Sequence, residues 1–300
     1  MQIKEVVVAD RSPTIRQRRL AAELRHLREL TGLNLDEASE RLGWSKAKLS
    51  RVETARSGVK AADLTLLLEL YSVPDSRRTR LSTLARTAKQ RGWWDAYAGQ
   101  LPTDYSAYIE LESEAESLRC YSATVLHGLL QTEEYAREII RSALMQFSPP
   151  TEVDRRVEVR LTRQDAAFKR RETPLRFWSV IDESCLRRAV GGPAVMAAQL
   201  RRLIELAEEP NVMLQLLPFD TGAHSASAVG TFSILELPEL HVPDVVYIEA
   251  MTSALYVEDD SQVHMYGMAF DQLRAEAMGP DDTLASLARF AEEYEGKGNV

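Results

Sequence analysis

Two short amphipathic segments joined by a glycine, within residues 34–54, constrain the fold of this chain more than any other feature. Asn34 can cap a first helix by accepting a hydrogen bond from the amide of Glu37, whose carboxylate can accept from the Asn34 amide in return. Gly43 ends that helix, and Ser45 can cap a second one over residues 46–54. Because residues 19–33 show the same apolar spacing, a third helix is expected before this helix-turn-helix pattern.

The helix predicted over residues 46–54 has one apolar face and one polar face. Leu49 and Val52 point inward in this pattern, and the outward stripe is small and cationic: Lys46, Ala47, Ser50, Arg51 and Thr54. Such a stripe fits the major groove of double-stranded DNA, where an arginine such as Arg51 bonds bidentately to guanine. Candidates for phosphate contacts lie beside the stripe: Lys48, Arg56 and Lys60. The alternative is an ordinary helical hairpin with a charged surface.

Charge is distributed unevenly along the chain. Residues 14–91 hold 17 Lys and Arg against 9 Asp and Glu, a net charge of +8, whereas residues 92–300 hold 18 against 34, a net charge of −16. A basic first part suits a polyanionic partner, and an acidic remainder is repelled by that partner. The distribution therefore favours DNA binding by the first third of the chain.

The segment LRHLRELTGLNLDEASERLGWSKAKLSRVET, followed by DLTLLLELYSV, resembles the Cro/C1-type (XRE) helix-turn-helix of phage repressors and bacterial regulators. The resemblance implies a compact DNA-binding domain of five helices over residues 14–84. It also implies a structural pair between Arg28 and Glu53. Two positions depart from the family pattern: Leu35 replaces a glutamine that contacts phosphate, and Ala55 replaces the glycine that commonly follows the recognition helix.

An aromatic segment follows the basic part. Residues 85–115 are predicted to be a helical joint, and they contain five clustered aromatic residues: Trp93, Trp94, Tyr97, Tyr105 and Tyr108. No glycine- and serine-rich linker is present here, so a stiff connection is expected. Because no basic residue is interleaved with these aromatics after Arg91, packing against the rest of the chain or a second subunit is favoured over stacking on bases.

Residues 116–300 are predicted to form an α+β body. Helices are expected over residues 110–119, 131–145 (capped by Thr132), 193–208, 261–278 and 282–294, and, after a break at Pro149 and Pro150, over 151–171 with Thr151 as the cap. Strands are expected over residues 175–181, 212–218, 230–237, 245–250 and 254–257. This order predicts a mixed sheet of about five strands flanked by helices.

Several segments of the body resemble the C-terminal domain of an actinomycete class of such regulators: LHGLLQTEEYAREII, RRVEVRLTRQ, DESCLRRAVGGPAVMAAQLRRL and LLPFDTGAH. His127 departs from that class, which commonly has a proline at this position. The domain is of uncharacterised function and is described as antitoxin-like, because its genes often adjoin one for a small protein. The resemblance therefore implies a small partner protein encoded nearby.

A loop between two predicted strands is the candidate binding site of the body. It is rich in small residues, and its candidate contacts for a partner protein or a small molecule are Gly222, His224, Ser225 and Ala226. The order of strands around this loop also resembles a phospholipase-D-like half domain, so a hydrolase that uses His224 is the alternative function. That chemistry needs a lysine two positions after the histidine, where this chain has Ala226.

Other catalytic or cofactor sites are not indicated. Asp182 and Glu183 are neighbours at a strand end and point to opposite faces, so Asp182 is expected to cap a helix. Cys120 and Cys185 are expected to be buried thiols, and neither metal spacing nor a phosphate loop is present, so no cofactor is predicted. No apolar stretch reaches the roughly 18 residues of a membrane span and no signal peptide is readable, so a cytoplasmic protein is expected.

The expected function follows from these patterns. One helix-turn-helix domain of this type reads only about four base pairs. Useful affinity therefore needs two such domains on half-sites about 10 base pairs apart, and a homodimer is expected. The sequence predicts a DNA-binding transcriptional regulator, not an enzyme, whose body receives a signal.

Overall fold

The chain divides into two compact units, which we name the head and the body. The head comprises residues 1–98 and 239–242, and the body comprises residues 99–238 and 243–300. The computed structural model describes residues 15–87, 92–97, 101–145, 147–169, 173–237 and 244–298. The predicted joint, residues 85–115, spans the boundary between the two units.

Five helices build the described part of the head before residue 88, as predicted. They are α1 (Ile15–Leu30), α2 (Leu35–Leu42), α3 (Lys46–Glu53), α4 (Ala61–Leu70) and α5 (Asp75–Thr87). A short 3-10 helix, Trp93–Tyr97, comes later in the same unit. Leu24, Leu49, Leu67 and Leu81 come from four different helices and are fully buried. Burial of these apolar side chains holds the helices together.

Local hydrogen bonds fix the turn between α2 and α3. Asn34 Oδ1 accepts from the Glu37 amide at 2.9 Å, and Glu37 Oε2 accepts from the Asn34 amide at 2.8 Å, so the predicted capping box forms. Gly43 ends α2 with a φ of 66°, a left-handed conformation that glycine adopts without steric cost. Ser45 Oγ then accepts from the Lys48 amide at 3.2 Å and caps α3. The predicted helix-turn-helix is therefore confirmed.

A mixed sheet of six strands forms the centre of the described body. The strands are β1 (Ser117–Ser122), β2 (Arg176–Asp182), β3 (Val212–Leu217), β4 (Phe232–Glu236), β5 (Val245–Glu249) and β6 (Ala254–Val257). Their order across the sheet is β3-β2-β1-β4-β5-β6. β1, β2 and β3 run parallel, and β4, β5 and β6 each pair antiparallel with the strand before them in that order. The α+β class is confirmed, with one strand more than predicted.

The additional strand, β1, corrects the helix predicted over residues 110–119. A helix, α6 (Thr103–Glu114), does precede it, and it ends at Ala115, whose ψ of 138° is extended. β1 then lies between β2 and β4 in the middle of the sheet. Five of its six residues are buried, so the segment SLRCYS lacks the polar and apolar alternation that marks a half-exposed strand.

Six α-helices follow β1 in the described body. They are α7 (Glu133–Ala143), α8 (Pro150–Phe168), α9 (Glu183–Arg187), α10 (Pro193–Ala207), α11 (Asp260–Glu276) and α12 (Pro280–Gly298). Thr132 caps α7 by accepting from the Tyr135 amide, as predicted. The predicted cap at Thr151 is wrong, because Pro149 is the capping residue of α8 and Pro150 its first helical residue. Proline suits that position, since the first amides of a helix have no intrahelical acceptor.

Two tyrosines of the predicted joint pack inside the body. Tyr108 is buried, and its ring centroid lies 4.3 Å from that of Tyr247 on β5. Tyr105 Oη accepts from Arg163 Nη1 at 2.7 Å. Arg163 also makes a two-point ion pair with Glu112, through Nε at 2.9 Å and Nη2 at 2.7 Å. These contacts join α6 to α8 and make Tyr108 a core residue of the body.

Candidate functional site

α3 presents a polar and cationic face on the head. Leu49 and Val52 are buried in the head core, as predicted. The predicted stripe lies on the other side of the helix, with Ser50 partly buried and four exposed residues: Lys46, Ala47, Arg51 and Thr54. Thr54 Oγ1 donates to the carbonyl oxygen of Ser50 at 2.7 Å, which holds this side chain against the end of the helix.

The two lysines of α3 are paired with carboxylates of neighbouring helices. Lys46 Nζ lies 2.8 Å from Asp36 Oδ2, and both side chains are more than half exposed. Lys48 Nζ lies 2.8 Å from the partly buried Asp63 Oδ1 and 3.6 Å from the centre of the Trp44 ring. A phosphate that bound Lys48 would have to displace both contacts, so Lys48 is the less suitable of the predicted phosphate ligands.

Three other predicted contacts remain open to a nucleic acid. Arg51, Arg56 and Lys60 are exposed, and their side chains make no ion pair within the described ranges of the chain. Lys60 occupies the capping position of α4 and makes no side-chain hydrogen bond to that helix. The exposed Lys60 side chain therefore suits contact with an anionic phosphate.

A buried ion pair fixes the position of α3. Arg28 Nε lies 2.9 Å from Glu53 Oε1, and Arg28 Nη2 lies 3.0 Å from Glu53 Oε2. Arg28 Nη1 donates to the carbonyl oxygen of Leu33 at 2.8 Å. The hydrogen bonds to Glu53 raise the pKa of Arg28 above its ordinary value. The pair implied by the sequence resemblance thus forms, and it connects the end of α1, the following loop and the end of α3.

Ala55 follows α3 in the left-handed region, with a φ of 56°. This is the position where the family pattern has glycine, and a non-glycine residue there costs roughly 1–2 kcal/mol. The Ala55 side chain is buried in the head. Burial of its methyl group offsets part of that cost.

The predicted partner loop packs against α11 in the body. Ser225 Oγ donates to the carbonyl oxygen of Ala269 at 2.8 Å. The Ala226 side chain is only 2 % exposed and belongs to the core cluster that contains Phe232 and Phe270. Burial makes Ala226 inaccessible to a partner, so its small size serves close packing. Gly222, in contrast, is exposed, with a φ of 72°.

Two family models match the chain. A helix-turn-helix domain matches residues 19–81, which include α2, α3 and α4. A domain of unknown function, DUF5753, matches residues 105–289, more than half of the chain. The chain belongs to the DUF5753 family. Neither the curated proteins nor the solved structures contain a significant match to it.

His224 lies beside Tyr121, which in turn bonds to Asp182, near the C-terminal ends of β1 and β2 in the DUF5753 domain. Tyr121 Oη donates to Asp182 Oδ2 at 3.1 Å and lies 3.4 Å from His224 Nε2. His224 Nδ1 accepts from the Ala226 amide at 3.3 Å, so the neutral ring carries its proton on Nε2, towards Tyr121. Asp182 Oδ1 accepts from the Ser184 amide at 2.8 Å and caps α9, as predicted. Each group has a partner inside the protein, and nothing in the described residues favours the hydrolase alternative.

Two buried thiols lie in the DUF5753 domain. Cys120 and Cys185 are free and buried, as predicted. Burial raises the pKa of Cys120 to about 12 and raises the pKa of Cys185 above its usual range, so both stay protonated. Among the described residues, no three His, Cys, Asp or Glu side chains are grouped to hold a metal ion. None of the described helices combines the length and the apolar character needed to cross a membrane.

Sequence reasoning missed the partners of the two α3 lysines. Asp36 lies ten positions before Lys46, and Asp63 lies fifteen positions after Lys48. Spacing rules for one helix do not relate positions on two different helices. The available signal was that each aspartate lies in the first turn of a neighbouring helix, where a carboxylate also favours the helix dipole.

Proposed function

We propose that this protein is a sequence-specific DNA-binding transcriptional regulator and not an enzyme. The observation that carries the proposal is the exposed Arg51 on a helix whose opposite face, Leu49 and Val52, is buried in the helix-turn-helix head. A major groove accepts one such helix, and the net charge of +8 over residues 14–91 supplies the attraction to phosphate.

Each exposed residue of the head takes a distinct role in this proposal. Arg51 bonds to guanine, and the smaller residues of the stripe contact base edges or phosphates. Lys46 joins them by turning away from Asp36, because breaking an exposed ion pair costs only about 0–1 kcal/mol. Arg56 and Lys60 bind phosphates.

We further propose that the head is of the XRE type, that the chain belongs to the actinomycete class described above, and that it binds DNA as a homodimer. Two heads are needed because one helix in one groove reads too few base pairs for useful affinity. The similarity of the sequence to that class supports the type, and the size of the head supports the dimer.

The DUF5753 domain is, in this proposal, the receiver of a signal from a small partner protein encoded nearby or from a small molecule. The net charge of −16 over residues 92–300, which include this domain, supports a role away from DNA. The exposed Gly222 and the partly buried His224 leave one side of the loop open to a partner.

Selection of binding sites from random DNA tests the DNA-binding part. With the full chain, Arg51→Ala is expected to lose roughly 1–3 kcal/mol of affinity and to relax the preference at one base position. Arg202→Ala, which removes a partly exposed arginine from α10 of the body, is the control and should select the wild-type motif. An unchanged motif for Arg51→Ala would place base recognition elsewhere.

The signalling part is tested on the selected operator. The small proteins encoded by the genes on either side are added to the purified chain, and operator affinity is measured with and without each. A change of at least fivefold supports reception of a protein signal. An operator affinity that neither protein alters contradicts it.

A further inference from the structure

One long stretch of the body contains no cationic residue. Residues 203–273 have no lysine and no arginine, although the whole chain has 37 of them. The same stretch contains 12 Asp and Glu. It includes β3, β4, β5, β6 and α11 up to Leu273, so Arg274 in the last turn of α11 lies just outside it. These residues therefore bring negative charge and no Lys or Arg to the surface, and Arg274 on α11 lies 3.4 Å from Asp271.

The same stretch exposes most of the large apolar side chains on the surface. Of the eleven that are exposed in the described ranges, seven belong to it: Met213, Phe219, Val229, Met251, Leu255, Met265 and Met268. They do not form one surface, because β3 and β6 lie at opposite edges of the sheet, so only neighbours on one element can form an apolar patch of the kind that binds another protein. Negative charge and apolar surface thus occur together in one part of the chain.

Two of these residues, Met265 and Met268, lie on the outer face of α11. The inner face is defined by Phe270 and Leu273, which are fully buried in the core beneath the helix, and by Val263, which packs against that core. Positions 265 and 268 fall on the opposite side of the helical wheel. Their side chains are 64 % and 53 % exposed.

The loop before β4 packs beside this face. Ser225 bonds to the carbonyl oxygen of Ala269, one helical turn after Met265, so the loop lies along that flank of α11. Val229, in the turn that follows Ser225, is exposed. We name Met265 and Met268 the α11 patch. Three exposed carboxylates lie at the beginning of the helix: Glu258, Asp259 and Asp260.

We propose that the α11 patch docks a cationic amphipathic helix of a partner protein. The apolar stripe of that helix packs against the methionines, and its lysines or arginines face the carboxylates at the beginning of α11. Residues three apart on a helix form a ridge that fits the groove of a second helix, and flexible methionine side chains adapt to the partner. The inference rests on the proposed function, because it identifies where the DUF5753 domain receives its protein signal.

Charge argues against other occupants. A two-fold interface between copies of this chain would set the α11 patch against itself and bring acidic surface against acidic surface. DNA and anionic membranes would be repelled in the same way. A cationic partner is the one that the absence of Lys and Arg from residues 203–273 favours.

A synthetic peptide tests the proposal with the full chain. The probe is a fluorescent helix of about 17 residues, the length of α11, with leucines along one face and lysines elsewhere. One control peptide carries glutamates in place of the lysines, and another has the same composition with the leucines scattered around the helix. The first peptide should bind at least tenfold tighter than either control, and its affinity should fall as salt is raised.

Variants of the chain locate the binding surface. Met268→Gln keeps a good helix former and removes the apolar contact, so it should weaken peptide binding about tenfold, as should Met265→Gln. Phe147→Gln is the matched control, because Phe147 is 90 % exposed and lies outside residues 203–273. Glu258→Lys should weaken binding, whereas Glu292→Lys on α12 should not.

Three outcomes would overturn the proposal. The first is equal binding of the three peptides, and the second is an equal loss of peptide affinity in Phe147→Gln and Met268→Gln. The third is the conversion of a dimer into monomers by Met268→Gln, which light scattering would reveal. The proposed function is tested separately by operator binding of the wild-type chain, which needs no peptide. Met268→Gln should keep wild-type operator affinity in the absence of the peptide.

Discussion

Arg28 and Glu53 meet across the helix-turn-helix through two charge-assisted hydrogen bonds of 2.9 Å and 3.0 Å, with side chains that are 10 % and 4 % exposed. Removal of Glu53 leaves the buried Arg28 charge with only the Leu33 carbonyl oxygen at 2.8 Å and the Glu29 carboxylate at 3.6 Å. We therefore expect Glu53→Ala to destabilise the head by about 3–5 kcal/mol. Hydrogen exchange of the α1 and α3 amides in the full chain measures this effect.

An exposed pair on the same helix provides the control. Arg25 and Glu29 are also 2.9 Å apart, but both side chains are at least half exposed. Arg25→Ala should change stability by no more than about 1 kcal/mol, because solvent screens such a pair. Similar losses in the two variants would show that burial of the Arg28 pair contributes nothing.

Lys60 and Lys48 should differ in their effect on DNA binding. Lys60 is exposed without an ion pair in the described chain, so Lys60→Ala should weaken binding to all sequences and lower the salt slope by roughly one. Lys48 is held by Asp63 and Trp44, so Lys48→Ala should leave the slope nearly unchanged. Titrations of operator DNA at several salt concentrations measure both slopes. If the slope falls by one in Lys48→Ala, that lysine leaves Asp63 for phosphate.

A bulky substitution should destabilise the body at Ala226 but leave its stability nearly unchanged at Ala228. Ala226 is buried in the core beneath α11, so Ala226→Trp should destabilise the body by about 1–3 kcal/mol or more through overpacking. Ala228 is exposed, and Ala228→Trp should stay within about 0.5 kcal/mol of the wild type. Urea unfolding of the full chain compares the two variants. Equal stability would mean that the loop does not pack as described.

His127 should make the stability of the body depend on pH. Burial, with the nearby charges of Arg163 and Arg160, lowers the pKa of His127 to about 3 from an ordinary 6.5. Below pH 6.5 the His127 ring therefore binds a proton in the unfolded chain, whereas in the folded chain it binds one only near pH 3. The contribution of neutral His127 to the free energy of unfolding is complete above pH 6.5. It decreases as the pH falls, by about 2 kcal/mol at pH 5.

Urea unfolding at pH 7.5 and pH 5 measures this loss. His127→Gln should reduce the difference between the two pH values, whereas the exposed His264→Gln should not. A direct check is the NMR titration of the His127 ring. A pKa near 6.5 would contradict the partly buried, neutral imidazole that accepts from the Leu129 amide at 3.2 Å.

The sequence by itself determined the local structure of the head and several caps of the body. Asn34 with Glu37, Ser45, Thr132 and Asp182 each bond to an amide two or three residues away. Such bonds depend only on residues next to each other in the chain, so pattern rules find them. The outward direction of Arg51 follows in the same way, from the apolar spacing of its helix.

Only the tertiary structure decided which groups meet across the fold. β1 is a strand because β2 and β4 supply its hydrogen bonds, and these strands lie dozens of residues later in the chain. Lys48 forms an ion pair because α4 brings Asp63 near it, and Ala226 is buried because α11 covers it. The cation-free stretch can be read from the sequence, but the exposure of Met265 and Met268 cannot. Long-range contacts depend on how whole elements pack, which no local pattern contains.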